Sequence, residues 1–214
     1  MAKYIIKRVI AAILTIWVLI TIVFFLVRLM PGDPFTSAKL TDEVRANMEA
    51  YYGFDKPMIV QYGIYMVNLL HGDFGYSMKY TNKTVNDIIG ETFPFSADLG
   101  IRALLLALSI GLVLGIVSAR NRGKKLDFFC VIVAVLGTSI PDFIMGAALQ
   151  YFFGIKWGLF PVARYEGIEY TILPAFALAF YTLASVSRIM RASMLEVTSQ
   201  DYIKTARSKG VSEL

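Results

Sequence analysis

Long apolar segments separated by charged ones constrain this chain more than any other feature of its sequence. The first, residues 9–29, has about the length that an α-helix needs to cross the hydrocarbon core of a bilayer. A mean hydropathy of +0.59 with only 17% charged residues is typical of an integral membrane protein and not of a soluble domain. We therefore predict an all-α membrane protein, whose four transmembrane helices cover residues 9–29, 97–119, 128–153 and 172–190.

Basic residues flank these apolar segments in a way that predicts their orientation. Lys3, Lys7 and Arg8 precede the first segment, and the basic stretch 120–125 follows the second. Because cytoplasmic loops are enriched in Lys and Arg, the N-terminal end of the first segment and the C-terminal end of the second are expected in the cytoplasm. The first segment leads into a polar stretch without a small-residue cleavage site, so we interpret it as an uncleaved span and not as a signal peptide.

Residues 31–96 form a long segment that this orientation places outside the cytoplasm. It contains five Lys or Arg against eight Asp or Glu, in agreement with that side. Helix signals predict three short helices within it: 41–53, a second from Pro57 to Leu70, and 84–91. The second is apolar but too short to span, so we expect it at the membrane interface or against the helix bundle.

The third apolar segment is interrupted at residues 137–142, Gly-Thr-Ser-Ile-Pro-Asp. Proline removes a helix hydrogen bond, and Thr138 and Ser139 are candidate partners for the carbonyls that this frees. The segment is either a hinge or pore-lining break, with Ser139 and Pro141 as its residues, or a plain kink satisfied by neighbouring helices.

Candidate catalytic and metal-binding residues are few. Asp142, paired with Asp98, could suggest an intramembrane aspartyl protease, but Asp98 lies at the edge of its span and neither aspartate has a supporting motif. Cys130 lies in an apolar run and His71 has no neighbouring ligands, so we predict neither a metal site nor a catalytic residue. The sequence contains no phosphate-binding glycine loop, so any energy source must come from another chain or from an ion gradient.

Small residues recur where spans would meet. They are Gly100, Gly111 and Gly115 in the second span and Gly137, Gly146, Ala147 and Ala148 in the third, and Gly111 and Gly115 form a GxxxG pair. Such residues permit close helix packing.

The last segment, residues 194–214, is short, polar and basic. Tyr202, Ala206 and Gly210 recur every four residues, which is typical of a small helix with one docking face. We predict that a cytoplasmic partner binds here.

Several short motifs occur in a fixed order along the chain. Before the second span they are Met30-Pro-Gly-Asp-Pro34, Gly53-Phe-Asp-Lys-Pro57, Gln61-Tyr62 and Gly72-Asp-Phe-Gly75. Nearer the end they are Ser139-Ile-Pro141, Leu173-Pro174, Arg188-Ile-Met-Arg-Ala-Ser-Met-Leu-Glu-Val197 and Asp201-Tyr-Ile-Lys-Thr-Ala-Arg-Ser-Lys-Gly210. In this order they resemble the motifs of the oligopeptide/dipeptide/nickel permease family of ABC importers. The resemblance is to the first permease of the pair, which has a long external loop after its first span.

The resemblance implies a type I ABC importer permease fold, with six spans in full-length relatives. It divides the chain into an N-terminal part with the first span (1–30), an extracytoplasmic loop (31–96), a permease core (97–194) and a cytoplasmic coupling loop (195–214). It places the chain in a bacterial or archaeal cell membrane. The ATPase-coupling residues that it implies are Asp201, Tyr202, Thr205, Ala206, Arg207 and Gly210.

The same resemblance implies partners: a second permease subunit, two cytoplasmic ATPase subunits that bind ATP and Mg, and an extracytoplasmic solute-binding protein. The chain itself is then a transporter subunit and not an enzyme, with no cofactor of its own. Relatives continue through the coupling loop into two further spans, so we expect that a chain ending at Leu214 does not transport alone. An intramembrane protease and an ion-coupled transporter are the alternatives. The solute, whether oligopeptide, dipeptide, nickel or another, is not determined by the sequence.

Overall fold

The computed structural model describes residues 1–29, 49–77, 80 and 83–211, and within these ranges the regular structure is helical apart from one isolated bridge between Tyr76 and Thr84. Most of the predicted helix 41–53 lies outside the described residues, although 49–52 are helical. The helices are α1 (Ala2–Leu29), α2 (Met58–Leu70), α3 (Val85–Arg120), α4 (Lys125–Ser139), α5 (Asp142–Leu149) with a π-helical continuation (Gln150–Lys156), α6 (Glu169–Thr198) and α7 (Asp201–Ser208).

Among the described residues, α1, α3 and α6 are each long and apolar enough to cross a membrane. The bent pair of α4 and α5, with its π-helical continuation, makes a fourth crossing if it is counted as one span. The all-helical prediction is thus confirmed, whereas the number of spans is three or four depending on how the bent pair is counted.

The chain forms two compact units, Met1–Thr92 and Phe93–Leu214, with the boundary inside α3. In the first unit α2 packs against α1. The Tyr62 hydroxyl lies 2.7 Å from Thr21 Oγ1, and the buried Phe24 ring lies 5.4 Å from the rings of Tyr62 and Tyr65. The short apolar helix, which was predicted to lie at the membrane interface or against the helix bundle, thus packs against the first span.

The described residues between α2 and α3 make several polar contacts. Asp73 accepts hydrogen bonds from the Tyr51 hydroxyl and from the Gly75 amide, and these bonds hold the pKa of Asp73 below its ordinary value. Thr84 and Asp87 exchange side-chain and backbone hydrogen bonds at the start of α3. This reciprocal cap explains why the helix begins where the sequence predicts.

The sequence predicts two helices, 84–91 and 97–119, where the structure has one. α3 continues through Pro94 for 36 residues. A proline inside a helix removes one backbone hydrogen bond, but the flanking turns keep theirs, and membrane helices tolerate such a loss. The proline therefore does not end the helix.

The second unit is organised around α6, which contains most of the buried side chains. Its core consists of Ala103 and Ala107 from α3 and of Ala179 and Leu183 from α6. Alanine and glycine at these positions let the helices approach closely: a Cβ added at Gly111, Gly115 or Gly137 would lie 2.6–3.0 Å from atoms of α6. The predicted close packing is confirmed at these three glycines, whereas an added Cβ at Gly100 would meet no described atom within 4 Å and one at Gly146 would lie 3.7 Å from Ala177 Cβ.

Candidate functional site

α7 follows α6 after only two residues, Ser199 and Gln200. The Gln200 carbonyl accepts hydrogen bonds from the amides of Ile203 and Lys204, at 3.1 and 3.3 Å, so α7 begins directly at this turn. Asp201 lies in its first turn, where a carboxylate is favourable to the helix dipole, and pairs with Lys204 at 2.9 Å. Both charges are exposed, so this ion pair adds little stability.

α7 is exposed along most of its length. Tyr202, Thr205 and Lys209 recur at helical spacing and are all exposed, whereas Ile203 and Ala206 are half-buried. Of the predicted docking face, Tyr202 and Gly210 are thus exposed and Ala206 is half-buried.

Gly210 ends the helix. Its φ is +83°, the Val211 amide donates to the Ala206 carbonyl at 3.2 Å, and the Gly210 amide donates to the Arg207 carbonyl at 3.0 Å. This is the helix-terminating arrangement in which glycine is favoured because the conformation is left-handed. An added Cβ would meet none of the described atoms within 4 Å, so the structure explains Gly210 by its backbone conformation.

Arg207 is exposed and lines a cavity of about 510 Å³ together with Arg120, Asn121, Met194 and Thr198. Of the predicted coupling residues, the structure thus places Tyr202 and Thr205 on the exposed face and Arg207 at the cavity. Their contact with a partner stays a prediction.

A buried carboxylate at the start of α4 was not predicted from the sequence. Asp127, in the first turn of α4, is only 6% exposed and accepts hydrogen bonds from three other segments. Its Oδ1 accepts from Ser118 Oγ at 2.5 Å and from Arg191 Nε at 2.8 Å, and its Oδ2 accepts from Arg191 Nη2 and the Gly123 amide, both at 2.9 Å. We call these four residues the Asp127 clamp.

The clamp joins the end of α3, the turn before α4 and the last third of α6. We refer to this part of the second unit, with the basic stretch 120–125 and α7, as the basic end. The one feature of the sequence that sets Asp127 apart is its position as an acidic residue shortly after the basic stretch 120–125. Its partner Arg191 is 64 residues away, so spacing along the sequence could not pair them.

The predicted hinge residues lie at a sharp bend. Ser139 is the last residue of α4 and Pro141 immediately precedes α5, and the two helical segments are bent by 109°. Ile140 and Pro141 have extended backbone conformations, with ψ of 119° and 143°. Thr138 Oγ1 bonds to the carbonyls of Ala134 and Val135 at 3.1 Å, one turn back, and not to the Gly137 carbonyl that the proline frees.

The two aspartates of the suggested protease dyad make different contacts. Asp98 accepts hydrogen bonds from Arg102 Nε at 2.8 Å and from the Tyr165 hydroxyl. Asp142 lies at the start of α5 and lines another cavity, of about 530 Å³. Within the described ranges, no group of three or more His, Cys, Asp or Glu side chains could hold a metal ion.

Comparison with known proteins places this architecture in a family. Residues 1–100 match the N-terminal model of binding-protein-dependent transport system membrane components, and residues 111–214 match the model of the inner membrane component of these systems.

Individual relatives agree over nearly the whole chain. It is 43% identical to the dipeptide transport system permease protein DppB of Bacillus subtilis (strain 168), over 99% of this chain and 69% of the relative. It is 42% identical to the oligopeptide transport system permease protein OppB of Salmonella typhimurium, over 99% of this chain and 70% of the relative. DppB of Lactococcus lactis subsp. cremoris is 39% identical over 100% of this chain and 70% of that protein.

These matches agree with the order of motifs along the sequence and with an all-helical chain that contains membrane-spanning segments. They also favour a transporter subunit over a membrane enzyme. The chain belongs to the family of inner membrane components of binding-protein-dependent transport systems, and its predicted resemblance to the oligopeptide and dipeptide ABC permeases is confirmed.

Proposed function

We propose that this chain is the membrane permease subunit of an ATP-driven importer of dipeptides or oligopeptides. The names of its relatives support the solute class, because the dipeptide and oligopeptide permeases DppB and OppB match it over nearly its full length. In this proposal it forms one half of a pore with a second permease subunit. Two cytoplasmic ATPase subunits bind ATP and Mg, and an extracytoplasmic binding protein delivers the peptide.

The proposed orientation puts the N-terminus and the basic end in the cytoplasm. Counting the bent pair as one span gives four crossings, and the charged flanks of α1, α3 and α6 then agree with one orientation. The segment between α1 and α3 and the aromatic segment 157–168 lie on the opposite side. α7 follows α6 on the cytoplasmic side, where an ATPase can reach it.

The observation that carries the proposal is the exposed face of α7. A short helix with Tyr202 and Thr205 exposed, attached by two residues to the central helix of its unit, can transmit the movement of a bound partner. In the proposed mechanism, ATP binding closes the two ATPase subunits together and displaces α7. The rigid-body movement of the attached helices then opens the pore to the binding protein, which is alternating access.

The test of the solute class is uptake of a labelled dipeptide or oligopeptide by proteoliposomes that contain the complete transporter and its binding protein.

The test of the docking face is binding of the ATPase subunits to variants of α7. Tyr202→Ala removes a large exposed ring, while Ser208→Ala removes only a small exposed hydroxyl, which bonds to the Lys204 carbonyl of the same helix. Loss of a central aromatic contact typically weakens an interface by about 2 kcal/mol or more, so we expect a fall in ATPase binding of roughly thirtyfold for Tyr202→Ala.

Ser208→Ala should bind the ATPase as the unmodified chain does. If the Tyr202→Ala variant binds the ATPase as strongly as the unmodified chain does, α7 is not the docking site. Absence of ATP-dependent peptide uptake by the unmodified transporter would contradict the proposed solute class.

A further inference from the structure

The Asp127 clamp binds α6 shortly before its junction with α7, through which a movement of α7 would be transmitted to the rest of the second unit. Arg191 is two helical turns before the end of α6 at Thr198, and α7 begins three residues after that end. The amides of Ser199 and Gln200 donate to the carbonyls of Glu196 and Val197, at 3.2 and 3.1 Å, so the hydrogen-bonded backbone continues through the turn.

The clamp fixes both the distance between α4 and α6 and their relative orientation. The two parallel bonds from the Arg191 guanidinium to the Asp127 carboxylate are bidentate, and such pairs fix the relative geometry of their two helices. Ser118 and the Gly123 amide occupy the remaining acceptor positions of the carboxylate from α3 and from the turn. One carboxylate therefore joins three helix ends.

Net stability is a weak explanation for such a pair. Removing two charges from water is unfavourable, and a buried ion pair is often no more stabilising than apolar residues of similar size. Apolar contacts already hold α3 against α6 one turn away, because Gly115 lies close to Ser187 and Met190. The fixed geometry is what the ion pair adds.

We propose that Asp127 and Arg191 are positioning residues for energy coupling: they join the basic ends of α3, α4 and α6 into one rigid body, so that displacement of α7 moves all three helices together. This inference rests on the proposed function, since it assigns a path to the movement that an ATPase imposes on α7. Without the clamp the end of α6 moves with α7 while α3 and α4 stay behind, and ATP is hydrolysed without opening the pore.

The first experiment measures peptide uptake per ATP hydrolysed, in proteoliposomes with the complete transporter. We expect Asp127→Asn and Arg191→Lys to retain ATP hydrolysis while uptake per ATP falls by about fivefold or more, the lower range of coupling between distant sites. The control is Leu173→Ala, which creates a cavity at the opposite end of α6, where Leu173 is buried. It should lower thermal stability and leave the uptake ratio unchanged.

A double variant separates positioning from folding. Asp127→Asn with Arg191→Gln leaves no unpaired charge, so it should recover the thermal stability that Asp127→Asn alone loses. The uptake ratio should stay low because the bidentate geometry is absent. Recovery of the ratio together with stability would overturn the proposal and leave the clamp a purely structural ion pair.

A distance measurement tests the rigid body without reference to transport. Spin labels at Arg122→Cys and Glu196→Cys, both exposed, report the separation of the α3–α4 turn from the end of α6. The one native cysteine, Cys130, is buried and reacts slowly. We expect a narrow distance distribution in the unmodified chain and in Leu173→Ala, and a broad one in Asp127→Asn.

A narrow distribution in Asp127→Asn would overturn the proposal even if peptide import were demonstrated. Conversely, a broad distribution in a transporter that imports no peptide would support the rigid body and contradict only the proposed function.

Discussion

At the scale of single residues, glycines decide how closely α6 can approach its neighbours. A Cβ at Gly115 would lie 2.6 Å from Met190 Cβ and 2.8 Å from the Ser187 carbonyl oxygen. At Gly100, in the same helix, it would meet nothing within 4 Å. The two glycines therefore have different roles although both lie in one apolar segment.

We expect Gly115→Ala to destabilise the chain by about 1–3 kcal/mol, because neither Met190 Cβ nor the α6 backbone can move away without shifting the helix. Gly100→Ala should be neutral or stabilising by up to about 1 kcal/mol, since alanine favours the helix. Both changes in stability are measured by thermal unfolding of the detergent-purified chain, monitored through the reactivity of the Cys130 thiol as it becomes exposed. Equal effects of the two variants would show that α3 and α6 do not approach closely at Gly115.

The sequence predicts these contacts better than it predicts the polar ones. Gly100, Gly111, Gly115 and Gly137 are all candidates because small residues in apolar spans permit close packing, and the last three lie against α6. Asp127 resembles a solvated charge next to a basic stretch, and nothing local indicates that it is buried. Its role depends on a partner from a different helix, which only the fold brings close.

At the scale of elements, the ends of helices follow from different causes. α7 is terminated after Ser208 by Gly210, whose φ of +83° would strain a residue with a side chain. α4 ends at Ser139, two residues before Pro141, which cannot continue the hydrogen bonding of a helix. α3, in contrast, continues through Pro94.

Substitution at Gly210 distinguishes its backbone role from close approach to a partner. Asparagine tolerates the left-handed conformation better than alanine does, although its side chain is larger. If the helix end is what matters, Gly210→Ala should lower coupling of ATP hydrolysis to uptake more than Gly210→Asn, by about fivefold for a strain near 1 kcal/mol. If close approach to the ATPase matters, the order reverses and asparagine is the more damaging.

The bend at Pro141 provides a second test at this scale. Pro141→Ala restores an amide donor toward the Gly137 carbonyl and removes a steric clash, which together are worth about 3 kcal/mol in a helix interior. We expect α4 and α5 to straighten and peptide uptake by the complete transporter to fall by about tenfold or more. Pro94→Ala, within the unbroken α3, is the control and should transport normally.

Unchanged uptake by Pro141→Ala would favour the interpretation of a plain kink over a hinge. The sequence places this interruption correctly, because proline next to glycine, threonine and serine is a strong local signal. It does not predict the angle of 109°, which depends on the extended conformations of Ile140 and Pro141 and on the packing of α5 against α6.

At the scale of the whole molecule, the distribution of charge predicts the orientation of every helix. The exposed apolar surface of α1 and the apolar windows of α3 and α6 define segments that can span a membrane. Length and composition do not say which side each end faces. The basic stretch 120–125 and the basic residues of α7 do, because positive residues are retained on the cytoplasmic side.

Cysteine labelling in whole cells tests this orientation. Arg122→Cys, Ser208→Cys and Ala163→Cys introduce thiols at exposed positions, and the native Cys130 gives a low background because it is buried. An impermeant maleimide should label Ala163→Cys in intact cells, since the aromatic segment 157–168 faces outward in the proposed orientation. Arg122→Cys and Ser208→Cys should react only after permeabilisation, because both lie at the basic end. Labelling of Ser208→Cys in intact cells would place α7 outside, beyond the reach of a cytoplasmic ATPase, and would contradict both the orientation and the coupling role of α7.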